Sequence, residues 1–167
     1  MIDFEALIRA LTESDVEFII IGGLAASAHG SARSTSDLDV VYRRTPENID
    51  MLVSALAPLN PYLRGAPAGL PFLWAARTIR NGLNFTLITS KGDIDVLGEV
   101  VGGGGYDQLF PDSIEVEVFG MRVRCLALER LIHVKRAAGR PKDFEAVAEL
   151  EAILEERNLH KGDSRDE

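Results

Sequence analysis

The chain has 167 residues, 46% of them hydrophobic and 26% charged, with a formal net charge of -8 at pH 7; this excludes collagen-like, mucin-like and wholly disordered classes and disfavours a dedicated binder of long nucleic acid, which needs surplus Lys and Arg. Its single cysteine, Cys125, excludes an internal disulfide framework and a thiolate zinc site, and reads as a small core residue. No segment reaches the length of a membrane span, and "MIDFEALIRAL" is acidic where a signal peptide is basic, so no membrane contact and a cytoplasmic address are predicted.

One domain is expected over residues 1–158, followed by a disordered tail over 159–167. Phe4, Leu7, Ile8 and Leu11 recur at helical spacing behind Asp3 as N-cap, which predicts a first amphipathic helix. "VEFIII" reads as a buried strand, turned by Gly22 and Gly23 into a short helix that begins at Leu24. "DLDVVY" is a second strand, and "TPENIDMLVSAL" a helix with Thr45 as N-cap and Pro46 at its first position. Residues 59–82 are rich in Pro and Gly and read as irregular, with arginines at 64, 77 and 80 that either steer an acceptor or balance acidic neighbours. "LNFTLIT" and "DIDVL" are strands joined by "SKG", and "SIEVEVFG" with "MRVRCL" forms a hairpin. Two helices close the chain, one ended by Gly139 and one opened by Pro141. The fold class predicted is mixed α/β (α+β), a central mixed β-sheet flanked by α-helices.

Side chains alternate faces along a strand, so Asp37 and Asp39 share one side while Leu38 and Val40 point into the core. Two adjacent carboxylates raise each other's pKa unless a cation joins them, and oxygen ligands of this kind suit Mg²⁺. "GDIDVL" repeats the pattern, and Asp95 is flanked by apolar residues on both sides; Asp93 reads as turn chemistry. Three carboxylates from neighbouring strands can hold two Mg²⁺ ions. Gly22 and Gly23 allow close backbone approach, and the helix after them presents free N–H groups to phosphates.

These residues carry a resemblance: Gly-Gly, thirteen residues, Asp-Leu-Asp among hydrophobics and a later apolar-Asp-apolar strand resemble the nucleotidyltransferase superfamily typified by DNA polymerase beta. "AHGSARSTSDLDVV" and "LERLIHVKRAAGRPKDFEAV" are similar, more narrowly, to the AbiEii-type branch of toxin and antitoxin pairs. The resemblance implies Mg²⁺-dependent transfer of NMP from an NTP such as ATP to a hydroxyl, with Asp37, Asp39 and Asp95 as catalytic metal ligands. It implies nucleotide-binding roles for Gly22, Gly23, Lys135, Arg140 and Asp143. The acceptor it suggests is RNA, such as a tRNA 3′ end, with an antitoxin protein as partner. A small-molecule alcohol, as in antibiotic-modifying relatives, is the alternative, and a nucleotide-binding module without catalysis, acting through a partner protein, is a third. Many members carry Ser where this chain has Gly23, so here backbone contacts must suffice.

Periodicity adds its own signal: Lys135 follows Leu128, Leu131 and Ile132 on one helical stripe, and a lysine there wants an anionic partner. Asp143 either joins the nucleotide cluster or neutralises Lys135. Arg33, close before Asp37, either grips a phosphate bidentately or is a solvated loop arginine. "GGGGYDQL" lacks the Lys and Ser/Thr of a phosphate loop and reads as a flexible loop. "GGLAASAHG" does not fit a dinucleotide fingerprint. His29 and His133 read as structural, and Trp74 either stacks on a base or fills core.

Overall fold

Seven strands make one sheet, in a computed structural model that describes residues 1–163. In chain order the elements are α1 (Phe4–Glu13), β1 (Phe18–Ile21), α2 (Gly22–Ala28), β2 (Asp37–Tyr42), α3 (Pro46–Leu56), β3 (Tyr62–Leu63), α4 (Ala76–Asn81), β4 (Asn84–Thr89), β5 (Gly92–Leu97), α5 (Tyr106–Leu109), β6 (Ser113–Val118), β7 (Met121–Leu126), α6 (Leu128–Ala138) and α7 (Pro141–Asp163). The sheet order is β3-β4-β5-β2-β1-β7-β6. Pairs β1 with β7 and β2 with β5 are parallel, and the remaining pairs are antiparallel. The sheet is therefore mixed and flanked by helices, as its alternating and helical patterns indicate.

The helix signals act as expected. The Asp3 carboxylate accepts the N–H of Ala6 at 3.0 Å, and the Thr45 hydroxyl that of Asn48 at 3.3 Å. Leu7, Ile8 and Leu11 are fully buried, as are Leu38, Val40, Ile94 and Val96 on the inner face of the central strands. Asn48 is buried beside them yet fully used. Its amide nitrogen donates to the carbonyls of Glu17 (3.0 Å) and Arg43 (2.8 Å), and its oxygen accepts the Glu17 N–H (2.7 Å). One side chain thus ties α3 to the start of β1 and the end of β2, satisfying groups that would otherwise be stranded.

Several boundaries differ from the sequence reading. The helix expected from Leu24 begins at Gly22, because Gly22 takes φ +69 and turns the strand straight into α2. Residues 59–82 are only partly irregular: a 3-10 turn over Ala57–Leu59 leads to β3, which pairs with β4 at Leu87 and Ile88, and α4 follows. The tail expected from residue 159 starts as helix, since α7 continues to Asp163; residues 164–167 lie outside the described ones. The glycine-rich loop before α5 is pinned by a bridge between Val100 and Gly104, and a side chain at Gly102 would run into Ala137 of α6. Among the described residues, no helix is long and apolar enough to cross a membrane.

Candidate active site

Parallel pairing of β2 with β5 sets Asp37 opposite Asp93 and Asp39 opposite Asp95. All four side chains therefore leave one face of the sheet, and Asp37, Asp39 and Asp95 bring a carboxylate oxygen each within 4.8 Å of one another. Burial, then the charges of Asp37 and Asp95, push Asp39 up to about 7. Asp37 is raised as well, first by burial and then by Asp95. Three crowded, partly desolvated carboxylates are a donor set that wants a divalent cation, and hard oxygen ligands fit Mg²⁺.

The glycine turn stands against the same carboxylates for a register reason. Ile21, the last residue of β1, lies opposite Asp39, so the chain leaves the strand directly beside that side chain. A Cβ on Gly22 would collide with the Asp39 carboxylate. A Cβ on Gly23 would come within 2.6 Å of the Thr35 Cβ. Thr35 fills that space, its hydroxyl donating to the Asp37 carbonyl at 3.1 Å, which accounts for glycine at the second position. Nothing but Gly fits at either place without moving the site.

Lys135 on α6, Arg140 in the turn just before α7 and Asp143 in its first turn border one cavity of about 510 Å³ together with the three aspartates and both glycines. Of the two roles weighed for Asp143, its direct partner is Arg140: Arg140 Nε donates to Asp143 Oδ2 at 2.8 Å and the Arg140 N–H to the same oxygen at 3.2 Å. Burial would raise Asp143, but these bonds hold its carboxyl below the usual range. Lys135 is pulled down by burial while the charges of Asp143 and Asp39 pull it back up, so it stands in the field of both. Arg33 borders the cavity too, and its guanidinium is engaged by Glu145 of α7 at 3.2 Å. Next to it, Ser31 and the Ala32 N–H bond to Glu149, so the loop before β2 is fastened to α7.

Two residues change standing. Asp93 belongs to β5 rather than to the turn, and its carboxylate pairs with Arg64 at 3.2 Å. Arg64 itself lies on the aspartates, 2.8 Å from Asp95 and 4.0 Å from Asp37. Of the two readings open for it, balancing acidic neighbours is the one its position matches; Pro- and Gly-rich sequence around it carries no periodicity that could have placed it. The other candidates are structural. His29 donates through Nε2 to the Leu126 carbonyl at 2.8 Å, and burial lowers its pKa. Burial pushes the Cys125 thiol up to about 12, leaving it unreactive. Trp74 packs on the core and donates Nε1 to the Val53 carbonyl at 3.0 Å.

No family model and no characterised protein sequence matches the chain. Solved structures do. The chain is similar to the lincosamide antibiotic adenylyltransferase LnuA, lincomycin-bound, with a TM-score of 0.61 at 13% identity, over 91% of this chain and 98% of that one. It is similar to ANT(2'')-Ia in complex with adenylyl-2''-tobramycin, with a TM-score of 0.53 at 14% identity, over 94% of this chain and 95% of that one. The solution structure of the antibiotic-resistance factor ANT(2'')-Ia gives 0.52 at 16% identity, over 97% and 94%. With the mixed sheet, the strand-borne aspartates and the glycine turn in one arrangement, this chain has the nucleotidyltransferase fold.

Proposed function

We propose that the protein is a nucleotidyltransferase that moves NMP from an NTP onto a hydroxyl of a small-molecule acceptor, with Mg²⁺ held by Asp37, Asp39 and Asp95. The observation that carries the reading is the meeting of three carboxylates from β2 and β5 with the Gly22–Gly23 turn in one cavity. Two Mg²⁺ ions held by these carboxylates would supply neutralisation of the triphosphate and activation of the attacking hydroxyl. The chain's own residues do the rest. The glycine turn lets backbone N–H groups approach the phosphates, and Lys135 and Arg140 oppose the charge that builds on the departing pyrophosphate. Asp143 fixes the orientation of Arg140. Arg33 stands at the mouth, and contact with a phosphate requires it to leave Glu145. The acceptor hydroxyl gives its proton to a carboxylate of the cluster, its oxygen bonds to the α-phosphorus, and the bond from that phosphorus to the α–β bridging oxygen breaks to release pyrophosphate.

Small-molecule acceptors are favoured over RNA for two reasons. LnuA, 98% of which this chain covers, is lincomycin-bound, and ANT(2'')-Ia is in complex with an adenylylated tobramycin. The net charge of -8 weighs the same way. RNA transfer in a toxin and antitoxin setting, as the AbiEii-type resemblance implies, is the second reading; an antitoxin partner belongs only to it. A cytoplasmic address, where NTPs are available, accompanies either. The test is incubation with each of the four α-labelled NTPs, Mg²⁺, a panel of hydroxyl-bearing antibiotics and total RNA. Label on a small molecule supports the proposal, label on RNA replaces it with the second reading, and saturable NTP binding in calorimetry without pyrophosphate release would leave only a binding module.

A further inference from the structure

Arg64 has an unusual set of partners for a residue at the end of a two-residue strand. Its N–H donates to the Thr86 carbonyl at 2.9 Å, continuing the β3–β4 ladder. Its guanidinium then reaches across β4: Nη2 donates to the Leu87 carbonyl at 3.0 Å and to Asp95 Oδ1 at 2.8 Å. Nε lies 3.2 Å from Asp93 Oδ2, and Nη1 lies 4.0 Å from Asp37 Oδ2. A side chain only 29% exposed thus joins three carboxylates on two strands and is itself steered by a main-chain carbonyl.

The consequence is competition. Asp95 Oδ1 is bonded to the guanidinium, and Asp95 is one of the three carboxylates that could hold a metal ion. A fixed positive charge in contact with two of those ligands also repels a divalent cation directly. We propose that Arg64 is a built-in counter-cation of the carboxylate cluster, holding Asp37, Asp93 and Asp95 together and lowering the site's affinity for divalent metal, which takes Asp95 by displacing the guanidinium. This rests on the reading of Asp37, Asp39 and Asp95 as the metal site. It gives Arg64 a positioning role distinct from that of Lys135 on α6 and Arg140 in the turn before α7, which border the cavity.

The experiment is Mn²⁺ binding to the full-length protein, followed by the electron paramagnetic resonance of free Mn²⁺, with circular dichroism to check folding and thermal unfolding in EDTA. Wild type, Arg64→Gln, Arg64→Lys and Asp39→Asn are compared. Removing one partly screened charge beside the site is expected to tighten Mn²⁺ binding by Arg64→Gln roughly tenfold. Arg64→Lys keeps the charge but loses the fork that joins Asp93 to Asp95, and is expected to bind about threefold more tightly. In EDTA, Arg64→Gln is expected to melt below wild type, and saturating Mn²⁺ to raise its Tm by more than it raises that of wild type. Equal or weaker Mn²⁺ binding by whichever variant folds overturns the proposal. Mn²⁺ uptake by wild type that Asp39→Asn loses upholds the metal reading whatever the Arg64 variants do, whereas no uptake by wild type or either Arg64 variant overturns both.

Discussion

Asp39 is a carboxylate that burial and two like-charged neighbours push up to about 7 from an ordinary 3.8. A folded-state pKa above the unfolded one means that the native protein binds the proton more tightly. The stabilisation is fully present below 3.8 and is lost as pH rises through about 7. Metal-free protein is therefore expected to lose thermal stability between about pH 4 and pH 7, Asp39→Asn to lose most of that slope, and Mg²⁺ to suppress it; melting curves across that range with and without EDTA check this. The neighbouring glycines are just as constrained. Gly23→Ser sets its Cβ against Thr35 and is expected to destabilise the fold by about 1–3 kcal/mol in urea unfolding. Thr35→Gly in the same chain should return a large part of that loss, because the collision is with the Thr35 side chain; if the double variant is no more stable than Gly23→Ser alone, the steric account of Gly23 fails.

Among the elements, Asn48 ties α3 to the start of β1 and the end of β2 by hydrogen bonds that add to the apolar packing of the helix. Three hydrogen bonds converge on this side chain at 1% exposure. Asn48→Ala strands two main-chain groups of Glu17 and one of Arg43, and is expected to cost about 2–4 kcal/mol, read from chemical denaturation. Nothing in "TPENIDMLVSAL" advertises that role, since a lone Asn near a helix start reads as a polar surface residue. What was legible in the sequence is what local periodicity encodes. Alternation in "DLDVVY" and "GDIDVL" puts the aspartates on one face, and Thr45–Pro46 marks the start of α3. Lys135 stands out because it interrupts an apolar stripe. What was not legible depends on pairing at a distance. Strand β3 has only two residues and exists because Leu87 and Ile88 of β4 lie beside it, and Arg64 reaches Asp95 only because β4 intervenes. The Asp143–Arg140 contact had a competitor of equal merit in Lys135, and only the turn between α6 and α7 decides it.

Across the whole molecule, the sheet order brings together what the chain separates. Strand β5 inserts beside β2, placing Asp95 against Asp39 across more than fifty residues, while α6 and the turn that follows it bring Lys135 and Arg140 to the same cavity. Among the described residues Arg140 is ion-paired with Asp143 at 2.8 Å, so Asp143→Asn is expected to loosen that guanidinium and raise KM for the NTP several-fold with a smaller change in kcat, read from steady-state pyrophosphate release. The KM effect presumes that the three carboxylates do metal-dependent chemistry on a nucleotide. The most direct measurement is therefore pyrophosphate release from each NTP with Mg²⁺ and the acceptor panel, by wild type and by Asp39→Asn shown to be folded by circular dichroism. Release by wild type that falls at least about a hundredfold in Asp39→Asn is the expected result, and release undiminished in that variant would contradict the assignment of the site.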